Sequence, residues 1–174
     1  LTHDDIKQWM FQRSISEARG FGMQVDENLS DCTRPWGAFI RINESSFDAF
    51  ARAYWGDIEI PRPKANLKLD PKILIVAPGK RLSLQYHHRR QEHWRVMDGP
   101  VKIVMGPDGD HLEENTYQPG DVLRIPCGAW HRLVGCDCWG RIAEIWHHED
   151  PTNPSDENDI ERPQDDFGRK SPSA

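Results

Sequence analysis

Residues 85–94 read QYHHRRQEHW, which places three histidines, two arginines and a glutamate within ten positions. Neighbouring sequence is apolar and strand-like. In a strand, residues two apart share a face, so Gln85 and His87 point to the same side. A hairpin through residues 88–91 is expected to bring Glu92 back beside them on the next strand. A fourth group, His131, follows the turn Pro126-x-Gly128 and opens another strand. If the sheet closes, Gln85, His87, Glu92 and His131 converge inside it. Two imidazoles, an amide oxygen and a carboxylate suit one divalent ion, Zn²⁺ first, with Mn²⁺, Fe²⁺, Co²⁺ or Ni²⁺ also accommodated. Left empty, the set is costly: a buried, unpaired carboxylate costs several kcal/mol. The competing reading is a hydrogen-bonded core without metal. His88 and His93 have the opposite strand parity and are expected outside the cluster; His147 and His148 read as a surface pair.

The elements that must position these groups follow from the punctuation of the chain. Thr2 with Asp5 reads as a helix N-cap and its first-turn acid, and Ile6, Trp9 and Met10 recur at helical spacing over residues 3–18. A second helix is expected from Ser46 to Trp55, capped by Ser45 or Ser46, with Pro61–Pro63 leading onward. From residue 66 the pattern changes to short runs: 72–77, 82–87, 93–97, 101–105, 122–125, 131–134 and 141–146. Gly and Pro turns separate them. Many short strands without intervening helices indicate an antiparallel sandwich or barrel. The expected organisation is an N-terminal helical extension (1–33), a barrel (34–148, with a helical insertion near 45–56) and an acidic C-terminal segment (149–174) partly packed on it.

With 174 residues the chain fits one domain. A formal net charge of −6 argues against a general nucleic-acid binder. No apolar run approaches the ~20 residues of a membrane span. No secretory leader is visible, and the start at Leu1 reads as trimmed. The four cysteines read as reduced thiols in a cytoplasmic protein.

Two longer runs carry a resemblance. Gly79 to Gly99 reads G-x5-Q-x-H-x4-E-x6-G, and Gly120 to His131 reads G-x5-P-x-G-x2-H. They resemble the paired motifs of the cupin superfamily, with Gln85 in place of the usual first histidine and Gly135 in place of the usual closing Asn. RPWG (Arg34–Gly37), PGKRLSLQYHHRRQEHW (Pro78–Trp94), GDVLRIPCGAWHRL (Gly120–Leu133) and DDFGR (Asp165–Arg169) resemble type II mannose-6-phosphate isomerases. Bacterial members are often fused behind a guanylyltransferase domain, so the sequence resembles the isomerase half alone, roughly Arg34 to Arg169.

The resemblance implies an all-β cupin, a double-stranded β-helix or jelly-roll barrel, carrying an N-terminal helix and one short inserted helix. It implies a metal-dependent sugar-phosphate isomerase, a small-molecule sugar phosphate as partner, and a homodimer. A phosphorylated sugar needs a cationic clamp and a proton-transfer base. Arg89 and Arg90, on the expected hairpin, are the first phosphate candidates. Lys72 stands where the family has a lysine. Glu144, Lys72 and Arg89 are catalytic candidates; Glu144 could equally orient a ligand histidine. Trp94 and Trp36 are candidate pocket walls, or simply core. Competing functions are a non-catalytic sugar-binding or regulatory cupin and, less well matched to Gln85, a cupin oxygenase.

Overall fold

A computed structural model of the chain describes residues 1–62, 66–169 and 172. The Pro63 end of the predicted linker and residues 170, 171, 173 and 174 of the acidic segment lie outside them. Helix α1 spans His3–Gly20 and α2 spans Phe47–Trp55. Ten strands follow the chain as β1 Gly37–Arg41, β2 Lys72–Val76, β3 Leu84–Tyr86, β4 Arg90–Asp98 and β5 Val101–Gly106. The others are β6 Glu113–Tyr117, β7 Val122–Ile125, β8 Trp130–Gly135, β9 Gly140–His148 and β10 Glu161–Gln164. They form two five-stranded antiparallel sheets, ordered β1-β2-β9-β4-β7 and β10-β3-β8-β5-β6.

The first sheet is covered on both faces, and side-chain alternation sorts its residues between them. Ala38, Ile40, Ile73, Ile75, Ala143 and Ile145 point to one side and pack with Met10, Phe11, Ile15 and Ala18 of α1 and Phe50 of α2. Leu74, Val76, Trp94, Val96 and Ile142 point to the other, meeting Val101, Ile103 and Leu133 of the second sheet. Each fully buried aliphatic side chain contributes about 1.5–3 kcal/mol. This double burial is why β2 reads KILIV, without polar alternation. Gly37, the last residue of RPWG, is required by close approach: a Cβ there would stand 1.8 Å from the Ile75 carbonyl oxygen.

Helix α1 begins as expected, with a reciprocal capping box between Thr2 and Asp5. Its buried stripe differs from the expected one. Met10 is buried and Ile6 packs against the core as expected, but Trp9 is 59% exposed, and Phe11, Ser14, Ile15 and Ala18 complete the buried face. Arg141 on β9 ties this helix down, donating to Ser14 Oγ (3.1 Å), Glu17 Oε2 (2.6 Å) and Asp98 Oδ2 (2.5 Å). Ser46 occupies the N-cap position of α2, as one of the two expected residues, but its side chain makes no capping hydrogen bond. A 3₁₀ turn, Glu44–Ser46, precedes it, and Asn43 accepts from Ser45 N while Ser46 Oγ accepts from Gln24 N.

Two further corrections matter for the site. Residues 88–91 do not form a hairpin: β3 and β4 lie in different sheets, and residues 87–89 cross between them. His148 is buried rather than superficial, with Nε2 2.5 Å from the Lys68 carbonyl and Nδ1 accepting from Ser155 N at 3.0 Å. Strands β1, β6 and β10 were not expected; β10 comes from the acidic segment and pairs with β3. Among the described residues, no helix is long and apolar enough to cross a membrane.

Candidate metal centre

Strand register assembles the site. β4 and β9 pair Glu92 with Trp146 and Trp94 with Glu144, while β9 and β2 pair Glu144 with Lys72. Lys72, Glu144 and Trp94 therefore form a lateral row on the inward face, with Glu92 two residues along β4. In the opposite sheet, Gln85 on β3 is paired with His131 on β8. His87, at the crossing between sheets, completes the set.

His87, Glu92 and His131 are 2%, 1% and 1% exposed, and their ligand atoms lie within 4.8 Å of one another. His87 Nε2 is 3.0 Å from Glu92 Oε1, and His131 Nε2 is 3.4 Å from Glu92 Oε2. The other ring nitrogens assign the tautomers. His87 Nδ1 lies 2.7 Å from the Asp159 carbonyl and His131 Nδ1 lies 3.0 Å from the Ala129 carbonyl. A carbonyl only accepts, so each Nδ1 carries the proton and each Nε2 presents a lone pair. Burial, opposed by Glu92, lowers the His87 pKa to about 4, so at neutral pH this imidazole is uncharged. Glu92 is held well below the usual carboxylate range despite its burial, with the Arg90 guanidinium beside it favouring the ionised form.

The Nε2 atoms of both rings thus face a buried carboxylate. The buried His131 Nε2 has no hydrogen-bond partner. Arg90 and the Trp94 indole supply protons here: Arg90 Nε donates to Glu92 Oε1 at 3.1 Å with Nη2 3.3 Å from His87 Nε2, and Trp94 Nε1 donates to Glu92 Oε2 at 3.1 Å. This donor chemistry fits a divalent cation. Gln85 lines the same cavity as Glu92, and its Oε1 accepts from Ser83 Oγ at 2.8 Å.

That cavity, of ≈ 200 Å³, is also lined by Trp36, Lys72, Arg90, Glu144 and Trp146. Lys72 Nζ lies 2.9 Å from both Glu144 Oε2 and Asp70 Oδ2. Burial, reinforced by Glu92 and opposed by Lys72, raises Glu144 to about 7. Lys72 stays above its ordinary value because Glu144 and Asp70 outweigh its own burial. Trp94 is buried and does not line the cavity; its indole N–H lies 3.1 Å from Glu92 Oε2 and 3.0 Å from Glu144 Oε1, joining the two carboxylates.

The two arginines of the crossing part company. Arg90 is buried, its guanidinium 3.9 Å from the Trp146 ring centroid, with Nη1 donating to Ser155 Oγ at 3.0 Å. Arg89 turns away, donating to the Pro154 carbonyl at 2.7 Å and facing Asp156 at 3.3 Å. Without the expected hairpin, Arg89 lies on the crossing and Arg90 opens β4, and the two side chains leave in different directions, so the pair cannot act together. His88 is exposed, and His93 packs against His147 on the outer face, 6.0 Å between ring centroids.

Asp159 escaped sequence reasoning. Its carbonyl holds His87, while its carboxylate accepts from His88 N (2.9 Å), Arg89 N (3.0 Å) and Ser155 Oγ (2.6 Å). A ring oriented through a main-chain carbonyl leaves no side-chain signature, so no residue type could have announced it.

Two antiparallel sheets enclosing this donor set define a cupin barrel. Residues 48–162 match the family described as mannose-6-phosphate isomerase, C-terminal, and the chain belongs to that family. Over 171 residues it is 28% identical to alginate biosynthesis protein AlgA of Pseudomonas aeruginosa, covering 97% of this chain and 29% of that protein. Over 158 residues it is 33% identical to mannose-1-phosphate guanylyltransferase ManC of Salmonella typhimurium, covering 91% of this chain and 27% of that protein. The chain therefore spans under a third of these relatives. Among solved structures, hazelnut (Corylus avellana) vicilin superposes with a TM-score of 0.53 at 18% identity, covering 80% of this chain and 35% of that one. CapF of Staphylococcus aureus gives 0.51 at 17%, covering 79% and 33%. These two likenesses concern the fold alone.

Proposed function

We propose that this chain is a metal-dependent aldose–ketose isomerase acting on a phosphorylated sugar, interconverting mannose 6-phosphate and fructose 6-phosphate or a close relative. The observation that carries this reading is the meeting of two devices at one small cavity. One is the His87–Glu92–His131 cluster, which reaches the cavity through Glu92, and the other is the Glu144–Lys72 pair that lines it. Membership of the isomerase family and relatives named for mannose 1-phosphate chemistry support the same substrate class.

His87, Glu92 and His131 would hold one divalent ion, with Gln85 as fourth ligand; Zn²⁺ suits the set, and Mn²⁺, Fe²⁺, Co²⁺ or Ni²⁺ are also compatible with it. When bound, the ion supplies Lewis-acid polarisation of the sugar carbonyl and its neighbouring hydroxyl. Glu144, poised near neutrality, takes the proton from C2 of the aldose and returns it to C1 while the O2 hydroxyl proton passes to O1, so the carbonyl moves from C1 to C2. Lys72 stays protonated, steadies the Glu144 carboxylate and faces the cavity as a donor. Arg90 and the Trp94 N–H hold Glu92 in place.

The test is turnover of mannose 6-phosphate in D₂O followed by NMR. Fructose 6-phosphate carrying solvent deuterium at C1 is expected, with both product and label lost in Glu144→Gln. Sugar-phosphate binding with no ketose formed would instead favour a non-catalytic sugar-binding cupin.

A further inference from the structure

On the outer face of the first sheet lies a second cavity, of ≈ 360 Å³, bounded by α1, α2, β4 and β9. It shares no lining residue with the cavity at the metal cluster. Strand alternation keeps the two apart: on β4, Trp94 faces inward and Arg95 outward. Tyr54 reaches this second cavity from α2. It is 7% exposed, and its ring packs edge-on against Phe50 and Phe21, at 5.0 and 6.3 Å between centroids. The buried hydroxyl has no hydrogen-bond partner among the described residues. A buried tyrosine hydroxyl ordinarily finds one, and leaving it without an acceptor costs stability. The phenol is held above its ordinary range, first by burial and then by Glu17, with Arg141 opposing, so it keeps its proton and can donate it.

Charge in this cavity is unevenly shared. Arg141 takes both of its acids, Glu17 and Asp98. Arg95 is half-buried, and among the described residues its guanidinium makes no hydrogen bond or ion pair. Its Nη2 lies over Gly120, 3.8 Å from where a Cβ would stand. Arg13 rests on the Trp9 ring, 5.3 Å from its centroid, and has no carboxylate partner among the described residues. Two unpaired guanidinium groups and a protonated phenol thus line one space whose acids are already taken. Guanidinium groups match carboxylate and phosphate through paired N–H donors. Phe21 lines the same space and is 54% exposed, which leaves apolar ring surface uncovered there.

We infer that this outer cavity is a binding site for a small organic anion. Arg95, Arg13 and the Tyr54 hydroxyl hold its carboxylate or phosphate, and Phe21 packs against its apolar body. The site is separate from the metal cluster and stands or falls independently of the isomerase reading.

The experiment is calorimetric titration of the full chain with phenyl phosphate, benzoate and the neutral benzyl alcohol. Wild type is compared with Arg95→Gln, Tyr54→Phe and, on β5 of the other sheet, Lys102→Gln. One of the two anions should bind wild type saturably and at least about tenfold more tightly than benzyl alcohol; the tighter of the two identifies the headgroup. Arg95→Gln and Tyr54→Phe should each weaken that anion about tenfold, with Lys102→Gln at the wild-type value. Thermal unfolding separates binding from structure. Without ligand, Tyr54→Phe should melt no lower than wild type, because the hydroxyl it loses is unpaired; with the anion, wild type should gain more than the variant. Tyr54→Phe keeps both ring contacts, so it tests the site even if Arg95→Gln fails to fold. Absence of saturable binding by either anion, or an affinity that either substitution leaves unchanged, would overturn the site. A lower melting point for ligand-free Tyr54→Phe would also overturn it, since the hydroxyl would then already have a partner.

Discussion

Lys72 Nζ lies 2.9 Å from Glu144 Oε2, and the register of β2 against β9 sets the two residues directly opposite one another. The pair holds a carboxylate near neutrality inside the barrel: burial and Glu92 push Glu144 up to about 7, and Lys72 restrains it. The base must be deprotonated to act, so kcat should rise with pH through about 7 and level off above it. Lys72→Met removes the restraining charge, so the midpoint should move to higher pH by about one unit. A pH–rate profile of both proteins checks this; an unshifted midpoint would detach Lys72 from Glu144.

Asp159 fixes His87 through its carbonyl and the 87–89 crossing through its carboxylate. Asp159→Ala should release that crossing and weaken metal binding by about 10–100-fold. Competition against a chromogenic chelator measures the change directly. Affinity equal to wild type would mean that β3 and β4 hold His87 unaided.

The Trp94 indole N–H serves two buried carboxylates at once. Trp94→Phe keeps the packing and leaves Glu92 Oε2 and Glu144 Oε1 short of a donor, a loss of about 1–3 kcal/mol. Urea unfolding at neutral pH reads it. Trp94 acting as core alone predicts a much smaller change.

Helix α1 closes the outer face of the first sheet, and Ile15 is 1% exposed there. Ile15→Ala should cost about 2–5 kcal/mol. If the helix only adds stability, metal affinity of the folded fraction stays at the wild-type value, as calorimetric unfolding paired with metal titration would reveal.

Strand alternation predicts Gln85 and His87 on one face, whereas the structure pairs Gln85 with His131 and places His87 just past the end of β3; the turn before His131 is plain in Pro126 and Gly128. The crossing after His87 is hidden in the sequence: residues 88–91 are polar and short enough for a hairpin, and nothing local reveals that β3 and β4 belong to different sheets. β6 reads EENTY and is exposed along most of its length, so burial never imposed an apolar pattern on it. β10 carries Pro163 and charged neighbours and holds its edge position by pairing with β3.

The most direct test of the central claim is metal analysis of the purified protein combined with an NMR assay on mannose 6-phosphate before and after EDTA. The account predicts one divalent ion per chain, held through His87, Glu92 and His131. It predicts ketose formation that stops on chelation, returns with added Zn²⁺ or Mn²⁺, and is absent from Glu92→Gln. Full activity in metal-free protein would contradict it.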